Sequence, residues 1–300
     1  MAESASGGSF GADLLGQQLK AIVGLQSSVL KDQDPEPLHQ LRVRFRRLRT
    51  LLLQFGPALV LPQRVTDQQL AKGGRRLGLV RDLDVLLDQL DKQVLPPLPS
   101  QEQLRLKPLI KSLRRGRKLA FAELGEELRS RRYLRLLAQL QGWLRRPQFT
   151  AMGDEPVRDW LVEWKTPILA GLLSHPGWRA NDPDRDALAL HDLRKRIKQA
   201  RYGLTNLVTL ESQPLAPWLE RFKAMQDNLG ELNDLQVLAQ ALGDQLDGEL
   251  AKELPELNQQ VQTQKGQLFE HWQGQAGWML AAPGRNALHG LLCPGCASTS

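Results

Sequence analysis

The chain has 300 residues, with 40 Lys or Arg against 33 Asp or Glu, and a formal net charge of +7. That length is enough for one large domain or two of about 150 residues, and an apolar content of 41% with 24% charged residues excludes global disorder. No stretch approaches the roughly 18 apolar residues that span a bilayer. The first eight residues lack the basic and apolar regions of a signal peptide. The two cysteines, Cys293 and Cys296, leave the body of the chain without a disulfide framework. These features predict a soluble cytoplasmic protein with no membrane partner.

Sparse aromatic and β-branched residues, with abundant Leu, Gln and Arg, favour helices. Residues 1–9 read as a flexible tail. A helix is predicted over about 13–30. Asp34 is placed to cap the next one, with Pro35 at its first position, and that helix should stop at Phe55 before Gly56-Pro57. Further helices are predicted from about Pro62 to Val94, Leu104 to Leu128 and Tyr133 to Leu144. Residues 147–154 read as a connector. Helices then follow at 157–173, 184–210, 214–246 and 249–272. No segment alternates apolar and polar residues over a strand's length, so the predicted class is all-α. The expected layout is two antiparallel four-helix bundles, spanning 10–150 and 155–275, with a C-terminal tail over 276–300.

Two motifs recur at a single offset of 152 residues. Leu38-His39-Gln40-Leu41-Arg42 through Arg49 aligns with Leu190-His191-Asp192-Leu193-Arg194 through Arg201. Leu77-Gly78-Leu79-Val80-Arg81-Asp82 aligns with Leu229-Gly230-Glu231-Leu232-Asn233-Asp234. Pro62 and Pro214 match at the same spacing. Shared ungapped spacing points to an internal duplication with pseudo-two-fold packing.

At about 100° per residue, Leu38, Leu41, Phe45, Leu48 and Leu52 share one arc of about 80°. His39, Arg42, Arg46 and Arg49 fill the neighbouring arc. In the second copy Leu190, Leu193, Ile197, Ala200 and Leu204 form the apolar arc, beside His191, Arg194, Lys198 and Arg201. The cations therefore border the buried face, where water screens their mutual repulsion poorly. Such rows either pair with internal carboxylates such as Asp82 and Asp234, or wait for an external polyanion. Arg serves both, since its planar fork holds carboxylate or phosphate oxygens two at a time. Lys107, Lys111, Arg114 and Lys118 add a row at spacings of four, three and four. Arg131, Arg132 and Arg135 add a less regular one. Either of these outer rows also reads as an ordinary solvated face. Neither His has a second metal ligand at i+3 or i+4, so no metal or other cofactor is expected.

These residues resemble the CHAD family, the conserved histidine α-helical domains. The resemblance rests on Leu38-His39-x-Leu41-Arg42-Val43-x-x-Arg46-Arg47-Leu48-Arg49 and on Leu77-Gly78-x-x-Arg81-Asp82-Leu83-Asp84-Val85. It also rests on the stretch from Ser130 through Tyr133 to Trp143. The second copy supplies Leu190-His191-x-Leu193-Arg194-Lys195-x-x-Lys198-x-x-Arg201-Tyr202 and Leu229-Gly230-x-Leu232-Asn233-Asp234. It covers about residues 10–275. The resemblance implies two bundles with a basic channel between them, binding of inorganic polyphosphate, and residence at polyphosphate granules. Together the cationic rows and this resemblance give as candidate phosphate contacts His39, Arg42, Arg46, Arg49, Lys111, Arg114, Lys118, His191, Arg194, Lys195, Lys198 and Arg201. Relatives often accompany CYTH-type triphosphate hydrolases, which would here be a separate partner. The second half has no clear counterpart of the stretch 130–143, and Gln199 is neutral where Arg47 is cationic.

No phosphate-cradling glycine loop, nucleophilic triad or paired metal carboxylate stands out, so the expectation is a binding protein and not an enzyme. A nucleic-acid binder is the alternative, although the basic stripes lack interleaved aromatics. A metal-dependent enzyme of polyphosphate metabolism would have to draw on Asp82, Asp84 and Asp234. The C-terminal Cys293-Pro294-Gly295-Cys296, with His289 before it, supplies three ligands at most, one short of a closed zinc site.

Overall fold

A computed structural model describes residues 5–211, 214–245 and 250–292. They are built from helices, in order α1 (Gly7–Lys31), α2 (Pro35–Phe55), α3 (Asp67–Gln89), α4 (Ser100–Arg129), α5 (Arg131–Trp143), α6 (Ala151–Asp154), α7 (Leu161–Leu173), α8 (Ala187–Leu207), α9 (Ala216–Gln245), α10 (Leu250–Glu253), α11 (Pro255–Leu280) and α12 (Ala282–Leu292). Among the described residues extended pairing is limited to two isolated bridges, Ser6 with Pro156 and Leu59 with Phe149. The chain is all-α. No helix among the described residues is long and apolar enough to cross a membrane.

The described residues form two compact units. One draws on Met1–Val85, Arg114–Pro167 and Asn206–Gln213; the other draws on Leu86–Leu113, Ile168–Thr205 and Pro214–Ser300. The chain passes from one to the other inside α3, α4, α7 and α8, and the connector over 147–154 lies wholly in the first.

In the first unit the apolar stripe of α2, Leu38, Leu41, Phe45 and Leu48, is buried. Leu15, Leu19 and Ile22 of the neighbouring α1 are buried as well. Each such side chain contributes about 1.5–3 kcal/mol on leaving water. Phe45 stacks on Tyr133, with ring centroids 6.1 Å apart, and Gln26 donates to the Tyr133 hydroxyl at 2.9 Å. Burial holds that phenol well above the ordinary tyrosine range, so it stays protonated. Lys165 and Glu211 form a fully buried ion pair at 2.8 Å. Breaking either side would strand a charge away from water.

The second unit buries Leu86, Leu90, Val94, Leu98, Leu106, Leu109 and Ile110 against Leu238, Leu242, Leu254, Leu257 and Val261. Trp178 stacks on Trp272 at 5.4 Å. The buried Glu102 carboxylate of α4 accepts from the backbone N–H groups of Glu256 at 2.9 Å and Leu257 at 3.1 Å. It thereby caps the first turn of α11 from another helix, where an anion is favoured.

Most predicted boundaries fall within a few residues, and Asp34 caps α2 as expected, accepting from Glu36 N at 2.9 Å. Parts of both predicted tails are helical instead. α1 starts at Gly7, inside the stretch read as a flexible tail. Ser6 caps it, and the two glycines let it approach aromatic rings closely. A Cβ on Gly7 would lie 2.7 Å from Trp164, and one on Gly8 2.4 Å from Phe149. At the other end α11 runs on to Leu280, and α12 occupies part of the stretch read as a C-terminal tail. Met279, Leu288 and Leu291 are buried there, because an apolar helical spacing outweighs proximity to the chain end. Cys293 and Cys296 lie outside the described residues.

Candidate functional site

Asp34 and Pro35 fix the start of α2, and its helical register then decides which side chains border the core. His39, Arg42, Arg46 and Arg49 are all half-buried, directly beside the buried stripe. Arg42 lies against α3. Its Nη2 is 3.0 Å from Asp82 Oδ1, with the arginine side chain 28% exposed and the aspartate 61%. A Cβ on Gly78, one turn before Asp82, would sit 3.6 Å from Arg42 Nη2 and 3.7 Å from Nε. Arg49 is held differently. Its Nε and Nη2 make a two-pronged contact with Asp67 at 2.6 and 2.9 Å, so the fork of this candidate phosphate contact already carries a carboxylate.

His39 has a buried Nδ1 without a hydrogen-bond partner in the protein. Burial lowers its pKa most; Arg81 lowers it further, Glu36 opposes, and Arg42 and Arg46 add to the depression. The ring is therefore neutral at neutral pH, in a strongly cationic setting.

α8 carries the second row. His191, Arg194, Lys198 and Arg201 are half-buried and Lys195 is exposed. Arg194 lies against α9 as Arg42 lies against α3. A Cβ on Gly230 would be 3.4 Å from its Nη2, 3.5 Å from Nε and 3.9 Å from Cζ. His191 Nδ1 is hydrogen-bonded to Asn233 Oδ1. An amide oxygen only accepts, so Nδ1 bears the proton. Burial again lowers the imidazole pKa first, the Asn233 bond opposes, and Lys195, Arg194 and Lys198 add to the depression. Arg201 Nε donates to Gln226 Oε1 at 3.1 Å, and its guanidinium lies 5.0 Å over the Tyr202 ring. Asp192, next to His191, is a local counter-charge that the sequence reading passed over. It accepts from His175 Nε2 at 3.0 Å and lies 3.6 Å from Arg196 and 3.8 Å from Lys195. These contacts, His175 foremost, hold its pKa below the usual carboxylate value.

Lys111, Arg114 and Lys118 are exposed along α4. Lys111 belongs to the second unit, and Arg114 and Lys118 to the first. Their neighbour Arg117 is committed to structure: it pairs with Asp32 and donates from Nε to Asp84 Oδ1 at 2.8 Å. The Asp32 bond is the main reason that its pKa is raised further. Asp32 occupies the left-handed cap of α1 at φ 53°, a geometry no sequence pattern announced. Asp82 and Asp84 thus each face an arginine. Among the described residues no group of three or more His, Cys, Asp or Glu is gathered to hold a metal ion.

The two histidines give the free protein a defined pH dependence. Each has a folded pKa below its ordinary value of 6.5, so the unfolded chain binds their protons more readily. Stability is complete above about pH 6.5 and is lost as pH falls through that value toward the folded pKa. The melting temperature should fall between pH 7.5 and 5, and His39→Gln with His191→Gln should flatten that fall. Asp192 acts in a separate window: its depressed pKa stabilises the fold above about pH 4, below the histidine range.

The chain is similar to a CHAD domain from the plant Ricinus communis, solved by crystallography. The two are 26% identical, the match covers 97% of this chain and 93% of that one, and the TM-score is 0.60. PptA from Streptomyces chartreusis shares the fold at 16% identity, with 91% and 99% of the two chains covered and a TM-score of 0.65. No curated protein sequence matches. The family model of the CHAD domain matches residues 13–243, and the chain belongs to the CHAD family.

Proposed function

We propose that this protein binds inorganic polyphosphate through the half-buried cationic rows of α2 and α8. Lys111, Arg114 and Lys118 of α4 supply further phosphate contacts. The observation that carries this reading is the setting of Arg42. Its guanidinium borders the buried stripe, beside a neutral histidine that is itself in the field of Arg42, Arg46 and Arg81. Its visible counter-ion is a carboxylate that is 61% exposed. Exposed ion pairs contribute only about 0–1 kcal/mol, so a phosphate oxygen can take the place of Asp82 at little cost. A polymer of phosphates adds the entropy of released counter-ions.

The protein acts in this reading by binding alone, with no covalent chemistry and no cofactor. Residence at polyphosphate granules, and partnership with a separate CYTH-type triphosphate hydrolase, belong to the same proposal and rest on the family resemblance. A nucleic-acid reading is disfavoured by the aromatics of these helices. Phe45 and Tyr202 are 1% and 6% exposed, so neither offers a face for a base to stack on.

Competition tests the choice. Labelled polyphosphate bound to the full chain should be displaced by unlabelled polyphosphate at a much lower phosphate concentration than by single-stranded RNA or duplex DNA. Displacement by duplex DNA at equal or lower phosphate concentration would sink the proposal.

A further inference from the structure

In both copies of the Leu-Gly motif the glycine faces an arginine of the preceding cationic row. A Cβ at Gly78 would meet Arg42 Nη2 and Nε and nothing else within 4 Å; one at Gly230 would meet Nη2, Nε and Cζ of Arg194. Both positions are buried. In each arginine the Nε–Nη2 edge is the part nearest the glycine, with Cζ farther away. The guanidinium therefore turns that edge toward the neighbouring helix.

A glycine in a helix interior costs about 0.5–1 kcal/mol relative to alanine. Neither glycine is needed for a left-handed turn, since α3 and α9 run through them, and neither is needed for close helix–helix approach, because no backbone atom of another helix is near. What the missing side chain leaves room for is the guanidinium alone. A side chain longer than a methyl would push the arginine away from the helix and toward solvent.

We propose that Gly78 and Gly230 are positioning residues. Each leaves a seat on a helix surface that fixes the depth and orientation of one phosphate-binding guanidinium, Arg42 and Arg194 respectively. The proposal rests on the polyphosphate reading of those arginines. A seated guanidinium meets a phosphate with its rotamers already restricted, so less entropy is lost on binding. An unseated one reaches the same phosphate only after ordering.

Isothermal titration of the full chain with polyphosphate of defined length, beside thermal melts, separates the possibilities. Gly78→Leu should weaken binding about 5- to 20-fold, an effect comparable to ordering one or two rotamer-rich side chains. Gly78→Ala, whose methyl stands only in ordinary contact, should cost about 2-fold while the melting temperature holds or rises. Gly230→Ala, where contact is tighter, should cost more than Gly78→Ala. If Arg42→Ala weakens binding and neither glycine variant does, the seats are overturned while the polyphosphate reading stands. If Arg42→Ala has no effect either, that reading itself fails. Should Gly78→Leu not fold, the alanine pair decides: unchanged affinity in both overturns the proposal.

Discussion

Raising monovalent salt from 50 to 200 mM should weaken polyphosphate binding about 10²- to 10³-fold, the largest single effect expected of this protein. Each neutralised phosphate releases condensed counter-ions, and for a flexible single strand log K falls against log salt with a slope of about −0.7 per contact. The candidate rows supply Arg42, Arg46, Arg194, Lys195, Lys198 and Arg201, with Lys111, Arg114 and Lys118 on α4. Engagement of about six of these gives a slope near −4. Arg49 is left out of that number because Asp67 already neutralises it. A titration at fixed polyphosphate length measures the slope directly. A slope near zero would mean that binding, if present, does not run through these cations.

The fold was largely legible because it depends on local rules. The apolar stripe Leu38, Leu41, Phe45 and Leu48 announces which face of α2 is buried. Asp34-Pro35 announces where the helix begins, and Gly56-Pro57 where it ends. The half-buried position of His39 and Arg42 followed from the same periodicity. What stayed hidden depends on contacts remote in sequence. Asp67 captures Arg49 from 18 residues away, and no spacing rule links the two. Asn233 engages His191 across 42 residues, while Arg81 stands at the same spacing after His39. That difference leaves His39 without the amide partner that His191 has. Gly7 and Gly8 read as a loose terminus, since glycine is a poor helix former; their purpose appears only with Trp164 and Phe149 against them. The Leu-Gly motif was visible as a repeat, but the reason for its glycine needed the arginine on top of it.

Arg42→Ala and Arg194→Ala should each weaken polyphosphate binding by about 1–3 kcal/mol, roughly 5- to 150-fold, the range for a charge-assisted hydrogen bond. Arg49→Ala should cost less, because its fork must first leave Asp67 before it can hold a phosphate. The order of effects is thus a sharper test than any one value. A row acting only through net charge would give the three variants equal losses, while pre-arranged guanidinium groups give Arg42 and Arg194 the larger ones. Stability should move little for Arg42→Ala, since Asp82 is largely exposed and water replaces the lost partner. Arg117→Ala is the control in the opposite sense. Its guanidinium ties Asp32 and Asp84 together, and Asp84 is only 12% exposed, so removal strands a poorly hydrated carboxylate. That variant should lower the melting temperature and leave the affinity of the folded protein nearly unchanged. If instead Arg42→Ala collapses the melting temperature and spares binding, the half-buried row is a structural network and the phosphate lies elsewhere.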